Sequence, residues 1–344
     1  MIRLTAALAA TDRPRLRAAV ALALLAVLSL PLFFDIYRAA AFNTAPRDDY
    51  APYLLYLVGD GGALPGAPFV YRFLSVAVAV PFYHALPGYI FSNLPPTDPA
   101  YLQAVEALSF SSWLWLALTP AVIYVLARRS RAGRGAAAIA ALLTLPLSGF
   151  LARVGIDPLA VFVICLLLLW VDRPLLFAPL ALLSSVLNEK ASLVLAVALA
   201  GRLLAARRAG RPFGQWPALT ASLAAVAVYF AVTLVYDAPG NEAQTNPALF
   251  LSHARSTLAY TLSAKGRVLH ALPALVVAGL AALALRYRRA SGFQAADTLA
   301  LVALLALALV ADVSYNVGRI VMHAYPFYLP AAALFVGELV EGRQ

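Results

Sequence analysis

The sequence predicts an all-α fold, a polytopic bundle of about ten membrane-spanning helices in a single domain covering residues 1–344. Three observations predict it. Of the 344 residues, 63% are hydrophobic and only 12% are charged, roughly half the charged share of an ordinary soluble domain. Several apolar stretches approach the roughly 20 residues needed to cross a bilayer, and the mean hydropathy is +0.82. The basic residues fall in short clusters between those stretches, at Arg13–Arg17, Arg128–Arg134, Arg207–Arg211 and Arg286–Arg289, which is how topology determinants are distributed.

The net charge of +10 therefore marks membrane orientation, and no nucleic-acid partner is expected. Cys165 is the one cysteine and lies in an apolar run, so no intramolecular disulfide can form. A basic N-terminus, the apolar stretch 18–34 and Ala39-Ala40-Ala41 together resemble a signal peptide. Asp35 and Arg38 would sit just before the cleavage site, and this favours an uncleaved first helix.

The expected spans are 18–36, 101–126, 135–151, 157–171, 175–188, 191–206, 216–236, 267–285, 296–314 and 321–337. Asp172-Arg173-Pro174 and Asn188-Glu189-Lys190 interrupt apolar sequence and read as tight reversals. The shorter spans require tilt or a locally thin bilayer. With the N-terminus inside, 17 of the 26 basic residues face inward, Arg173 and Arg202 among them. Eleven of the 16 acidic residues then face outward, while Asp172 and Asp297 stay inside. Segment 68–91 is apolar, but a crossing there would invert every later basic cluster. It also carries Arg72, Pro81, His84 and Pro87, and reads as interfacial or re-entrant helix.

Threaded this way, residues 37–100 form a long outer loop ahead of the bundle at 101–337. The loop holds Asp48, Asp49, Tyr50 and Arg72. Carboxylates can accept protons from sugar hydroxyls, arginine pairs with phosphate as a fork, and tyrosine rings pack on sugar faces. A solvated loop would also carry such charges. Arg153 and Asp157 fall in the next outer turn. Asp157-Pro158 opens a helix, so capping accounts for the aspartate as well as function does. Glu189 and Lys190 are harder to explain as a bare turn, which would use Gly, Pro or Ser. His253 lies in the outer loop 237–266, and Arg319 precedes a descending helix, where it either meets a phosphate or snorkels to the interface. Ionisable groups at membrane depth are costly, so their collection on one side predicts a site there.

The sequence has no Gly-Lys-Ser/Thr phosphate loop, no His-Glu-x-x-His, no Cys-x-x-Cys and no Gly-x-Ser-x-Gly. Cytosolic ATP or nicotinamide chemistry has no support in it. A divalent cation on Asp48 or Asp49 stays open.

The order of Leu22–Ile36, Asp48-Asp49, the apolar segment 68–91 and Tyr101–Leu126 resembles the GT-C superfamily of integral-membrane glycosyltransferases. So do Pro68-Phe69-Val70-Tyr71-Arg72-Phe73-Leu74 and Gly318-Arg319 leading into Tyr325-Pro326-Phe327. The chain departs from the family in having no sizeable soluble domain after the helices. Its acidic pair is Asp-Asp, where some members have Asp-x-Asp. The resemblance implies a polyprenyl-phosphate sugar donor, a glycan, lipid or protein acceptor, and transfer on the periplasmic face of a bacterial inner membrane. It implies Asp49 as the general base beside Asp48. Arg72, Arg153, Lys190 and Arg319 would stabilise the leaving phosphate, with Asp157, Glu189, Tyr50 and His253 binding substrate. The rival reading is a transporter or flippase of a lipid-linked or small polar substrate, which predicts polar groups near the bundle midplane.

Overall fold

The computed structural model describes residues 13–42, 51–59, 72–86, 99–149, 151, 157–236, 247–287, 297–310 and 317–341. Every regular element among them is helical and none is a strand, so the expected all-α class is borne out. The chain opens with α1 (Arg13–Phe42), followed by short helices α2 (Ala51–Val58), α3 (Phe73–Ala77) and α4 (Val80–Ala85). The bundle continues with α5 (Pro99–Arg129), α6 (Arg134–Ser148), α7 (Asp157–Trp170), α8 (Pro174–Leu187), α9 (Glu189–Arg208) and α10 (Trp216–Val235). Next come α11 (Pro247–Leu262), a π-helical turn over Arg267–Ala271 leading into α12 (Leu272–Arg286), α13 (Thr298–Val310), α14 (Val317–Met322) and α15 (Tyr325–Glu341).

Among the described residues, two helices are long and apolar enough to cross a bilayer: Ala100–Arg129, of 30 residues, and Trp216–Val235, of 20 residues. Further apolar helices, such as Asp157–Trp170 and Pro174–Leu187, are shorter. The apolar segment 68–91 contributes α3 and α4, of five and six residues, each far below the roughly 20 needed for a crossing.

Local sequence accounts for the breaks. Pro174 and Pro217 sit in the first turns of α8 and α10, where a missing N–H costs nothing. Asn188 alone separates α8 from α9. Its backbone is extended (φ −168°, ψ 113°), and its side chain accepts the Lys190 N–H at 3.2 Å as an N-cap. The expected reversal at 188–190 is therefore a single-residue break, and Glu189 and Lys190 form the first turn of α9. At the other end of α9, Gly210 takes φ +61°, which glycine adopts without a Cβ penalty.

Helix α5 packs against α1, α6, α7 and α15, while α9 packs against α8, α10 and α13. The main core joins α5, α7, α8, α9, α10, α12, α13, α14 and α15 through residues such as Ile123, Ile164, Phe177, Leu195 and Tyr328. A second, aromatic cluster gathers Phe33, Tyr37 and Tyr53 from α1 and α2 against Val76, Ala79 and the first turns of α5. The Gln103 side-chain amide donates to the carbonyls of Tyr83 (2.5 Å) and Leu86 (2.9 Å), anchoring α4 on α5. Together these contacts lay the 72–86 segment across the bundle end where α8 meets α9.

Candidate functional site

The site is built around the N-terminal turn of α9. Asp157 begins α7 and is buried. Its Oδ1 accepts from Lys190 Nζ at 3.2 Å and from the Asn188 amide at 3.2 Å. Its Oδ2 lies 3.1 Å from Arg319 Nε on α14. His323, just past α14, places Nε2 3.4 Å from Asp157 Oδ1. The other ring nitrogen, Nδ1, faces the carbonyls of Arg319 and Ile320 at 3.2 and 3.1 Å, which orients the ring. One carboxylate thus organises groups from α9 and from the α14 region.

Next to it, Arg72 grips Glu189 in a two-pronged ion pair, with Nε donating to Oε2 at 2.8 Å and Nη2 to Oε1. The Ser75 hydroxyl donates to the Leu187 carbonyl, so the 72–86 segment is fastened to the α8–α9 junction at two points. Burial works against the Arg72 charge, and the Glu189 carboxylate more than offsets it, holding the guanidinium well above its ordinary pKa. Planar fork geometry of this kind is the strong form of a charge-assisted hydrogen bond.

Three cations (Arg72, Lys190, Arg319) and two carboxylates (Asp157, Glu189) therefore meet at one end of the bundle. Lys190 and Asp157 are each 1% exposed, whereas Glu189 keeps 16%. Buried arginine and lysine side chains held in place by carboxylates can stabilise an anion that reaches them.

Of the residues singled out in the sequence, Arg72, Asp157, Glu189, Lys190 and Arg319 are brought together. Glu189 uses both oxygens on Arg72, so it holds an arginine in place. His253 sits half-buried within α11 and is not among the groups around Asp157. Asp48, Asp49, Tyr50 and Arg153 lie outside the described residues. Among the described residues no three His, Cys, Asp or Glu side chains converge as a metal site; the Asp48–Asp49 pair, where a cation was left open, is not among them.

In sequence His323 falls in the same outer region as Arg319 but carries no assigned role, and the buried Glu106 was not singled out. His323 carries a positional signal, lying one helical turn beyond Arg319. Glu106, 2% exposed on α5, lies within electrostatic reach of Tyr37 beside the aromatic cluster; its signal is a lone acid in an apolar helix.

A second polar network lies at the opposite end of α9. Arg202 donates to both oxygens of Asp297, at 2.6 and 2.8 Å, and to Gln215 at 3.2 Å. Gln215 in turn donates to Asp172 at 3.1 Å. Twelve residues of helix separate Lys190 from Arg202, about 18 Å at 1.5 Å per residue. The two charged networks therefore occupy opposite ends of one helix. Comparison with known proteins returned no matching family model, no matching characterised protein and no matching solved structure.

Proposed function

We propose that this chain is a membrane glycosyltransferase taking a sugar from a polyprenyl-phosphate donor. The acceptor is a glycan, a lipid or a protein, and transfer occurs on the periplasmic face of a bacterial inner membrane. The reading includes a multi-pass bundle of about ten crossings, with the short apolar helices tilted or in thinned bilayer. The observation that supports it most is the gathering of Arg72, Lys190 and Arg319 around Asp157 and Glu189, buried at the end of an apolar bundle. A phosphate on a lipid arrives at that depth, with its tail against helices and its charge against arginine and lysine.

Asp49 removes the proton of the acceptor hydroxyl. The hydroxyl oxygen bonds to the anomeric carbon as the bond from that carbon to the phosphate oxygen breaks, and the electron pair leaves with the lipid phosphate. Arg72, Lys190 and Arg319 stabilise the charge growing on that phosphate. Asp157 and Glu189 hold these cations in place. A divalent cation on Asp48 and Asp49 would add positive charge to the same phosphate.

The test is transfer of radiolabelled sugar from synthetic polyprenyl-phosphate donors to candidate acceptors by the purified protein. General-base assistance supplies about 10²–10⁴-fold, so Asp49→Asn should lose activity by that factor while its melting curve stays unchanged. Near-normal turnover in both Asp48→Asn and Asp49→Asn removes the general-base assignment. Movement of labelled lipid-linked sugar across proteoliposomes with no new glycosidic bond favours the transporter reading.

A further inference from the structure

We propose that the turn joining α9 to α10, with the α7–α8 turn beside it, is a docking surface for anionic phospholipid headgroups. Gly210 reverses the chain at once, with the Arg211 N–H donating to the Ala206 carbonyl at 3.0 Å and the Gly210 N–H to Arg207 at 3.1 Å. Arg207, Arg208 and Arg211 are consequently all exposed on one short turn. The Gln215–Asp172 hydrogen bond of 3.1 Å brings the exposed Arg173 alongside them.

The carboxylates at this corner leave that positive charge largely standing. Asp297 is buried and held by both prongs of Arg202, and Asp172 accepts from Gln215. Among the described residues, this corner thus carries four exposed guanidiniums and one exposed carboxylate, Asp172, which is already hydrogen-bonded. Beside them Trp216, 46% exposed, stacks edge-to-face on Phe213 at 5.4 Å. From Trp216 runs the 20-residue apolar α10, whose Leu223 and Phe230 are exposed. Cations, then an interfacial aromatic, then an apolar helix is the sequence of chemistries met on entering a bilayer. A guanidinium fork fits a lipid phosphodiester, and each arginine near an anionic leaflet contributes about 1 kcal/mol, or about fivefold in affinity.

The inference rests on the membrane part of the proposed function and is independent of glycosyl transfer. Its test uses the full chain in detergent doped with phosphatidylglycerol or with phosphatidylcholine, reading the apparent Tm and lipid retention in native mass spectrometry. Phosphatidylglycerol should raise Tm by several degrees more than phosphatidylcholine, and the difference should vanish in about 1 M salt, where the screening length is about 3 Å. Combining Arg207→Gln, Arg208→Gln and Arg211→Gln should weaken phosphatidylglycerol binding at least ~10-fold with Tm in phosphatidylcholine unchanged; Arg286→Gln, at another corner, should leave binding intact. If the combined variant does not fold, Arg173→Gln alone should lose about fivefold. Equal response to both lipids, or a wild-type response in the folded variants, overturns the proposal. A chain that stays dispersed without any detergent overturns the membrane reading itself.

Discussion

Asp157 carries the densest set of partners in the cluster, and its burial sets the consequence of changing it. Removing one member of a buried charged cluster leaves the others uncompensated, at a cost of about 3–5 kcal/mol. Asp157→Asn keeps the shape but leaves Lys190 and Arg319 facing an uncharged amide, so thermal unfolding in detergent should shift downward by several degrees. An unchanged Tm would mean that solvent reaches the cluster and screens it. Arg72, Glu189 and Lys190 were legible as polar residues inside apolar sequence. Their pairing was not, because Arg72 and Glu189 stand 117 positions apart and nothing in spacing connects them. Asp157 was legible as a helix cap or a substrate-binding group, and its role as the shared partner of Lys190 and Arg319 appears only when α7, α9 and α14 are packed.

The connections between helices carry the clearest backbone constraints. Between α11 and α12, Ser263 caps the following turn by accepting the Gly266 N–H at 3.1 Å. A Cβ on Gly266 would stand 1.9 Å from the Tyr260 carbonyl oxygen and 2.8 Å from Thr261 backbone atoms. Backbone atoms cannot move aside as side chains do, so Gly266→Ala should destabilise by more than ~2 kcal/mol and show reduced yield of folded protein in size-exclusion chromatography. The opposite case is Arg131, which ends α5 at φ +70°. Its neighbour Ala132 donates back to the Ala127 carbonyl at 3.1 Å, closing a Schellman-type turn that favours glycine. Arg131→Gly should raise stability by up to about 1 kcal/mol, read as a higher midpoint in a thermal-shift assay. The sequence expectation of a polar reversal at 188–190 was right about the break and wrong about its extent. One capping asparagine suffices, because its side chain replaces the N–H partner that a longer turn would have to supply.

Over the molecule, charge is sorted to two ends. The cluster around Asp157 sits at one and the Arg202–Asp297 network at the other, joined by α9. If the bundle crosses a bilayer, the two ends face different compartments. In a Cys165→Ser background, chosen because Cys165 is fully buried, Arg173→Cys and Ser263→Cys should label from opposite sides of intact cells. An impermeant maleimide should reach Ser263→Cys from outside and Arg173→Cys only after permeabilisation. Labelling of both from outside ends the proposed orientation.

Composition and the spacing of charges were enough to determine an all-helical chain and to sort its polar residues into two groups, because apolar length and basic flanks act locally along the chain. They could not tell how many helices are long enough to cross unaided; among the described residues two are. Which charge meets which was decided only by tertiary packing. Ion pairs such as Arg72–Glu189 and Lys190–Asp157 form between groups 117 and 33 residues apart, and a buried charge takes whatever partner the packed helices bring within about 3 Å. That requirement is set in space, and it leaves no periodic trace along the chain.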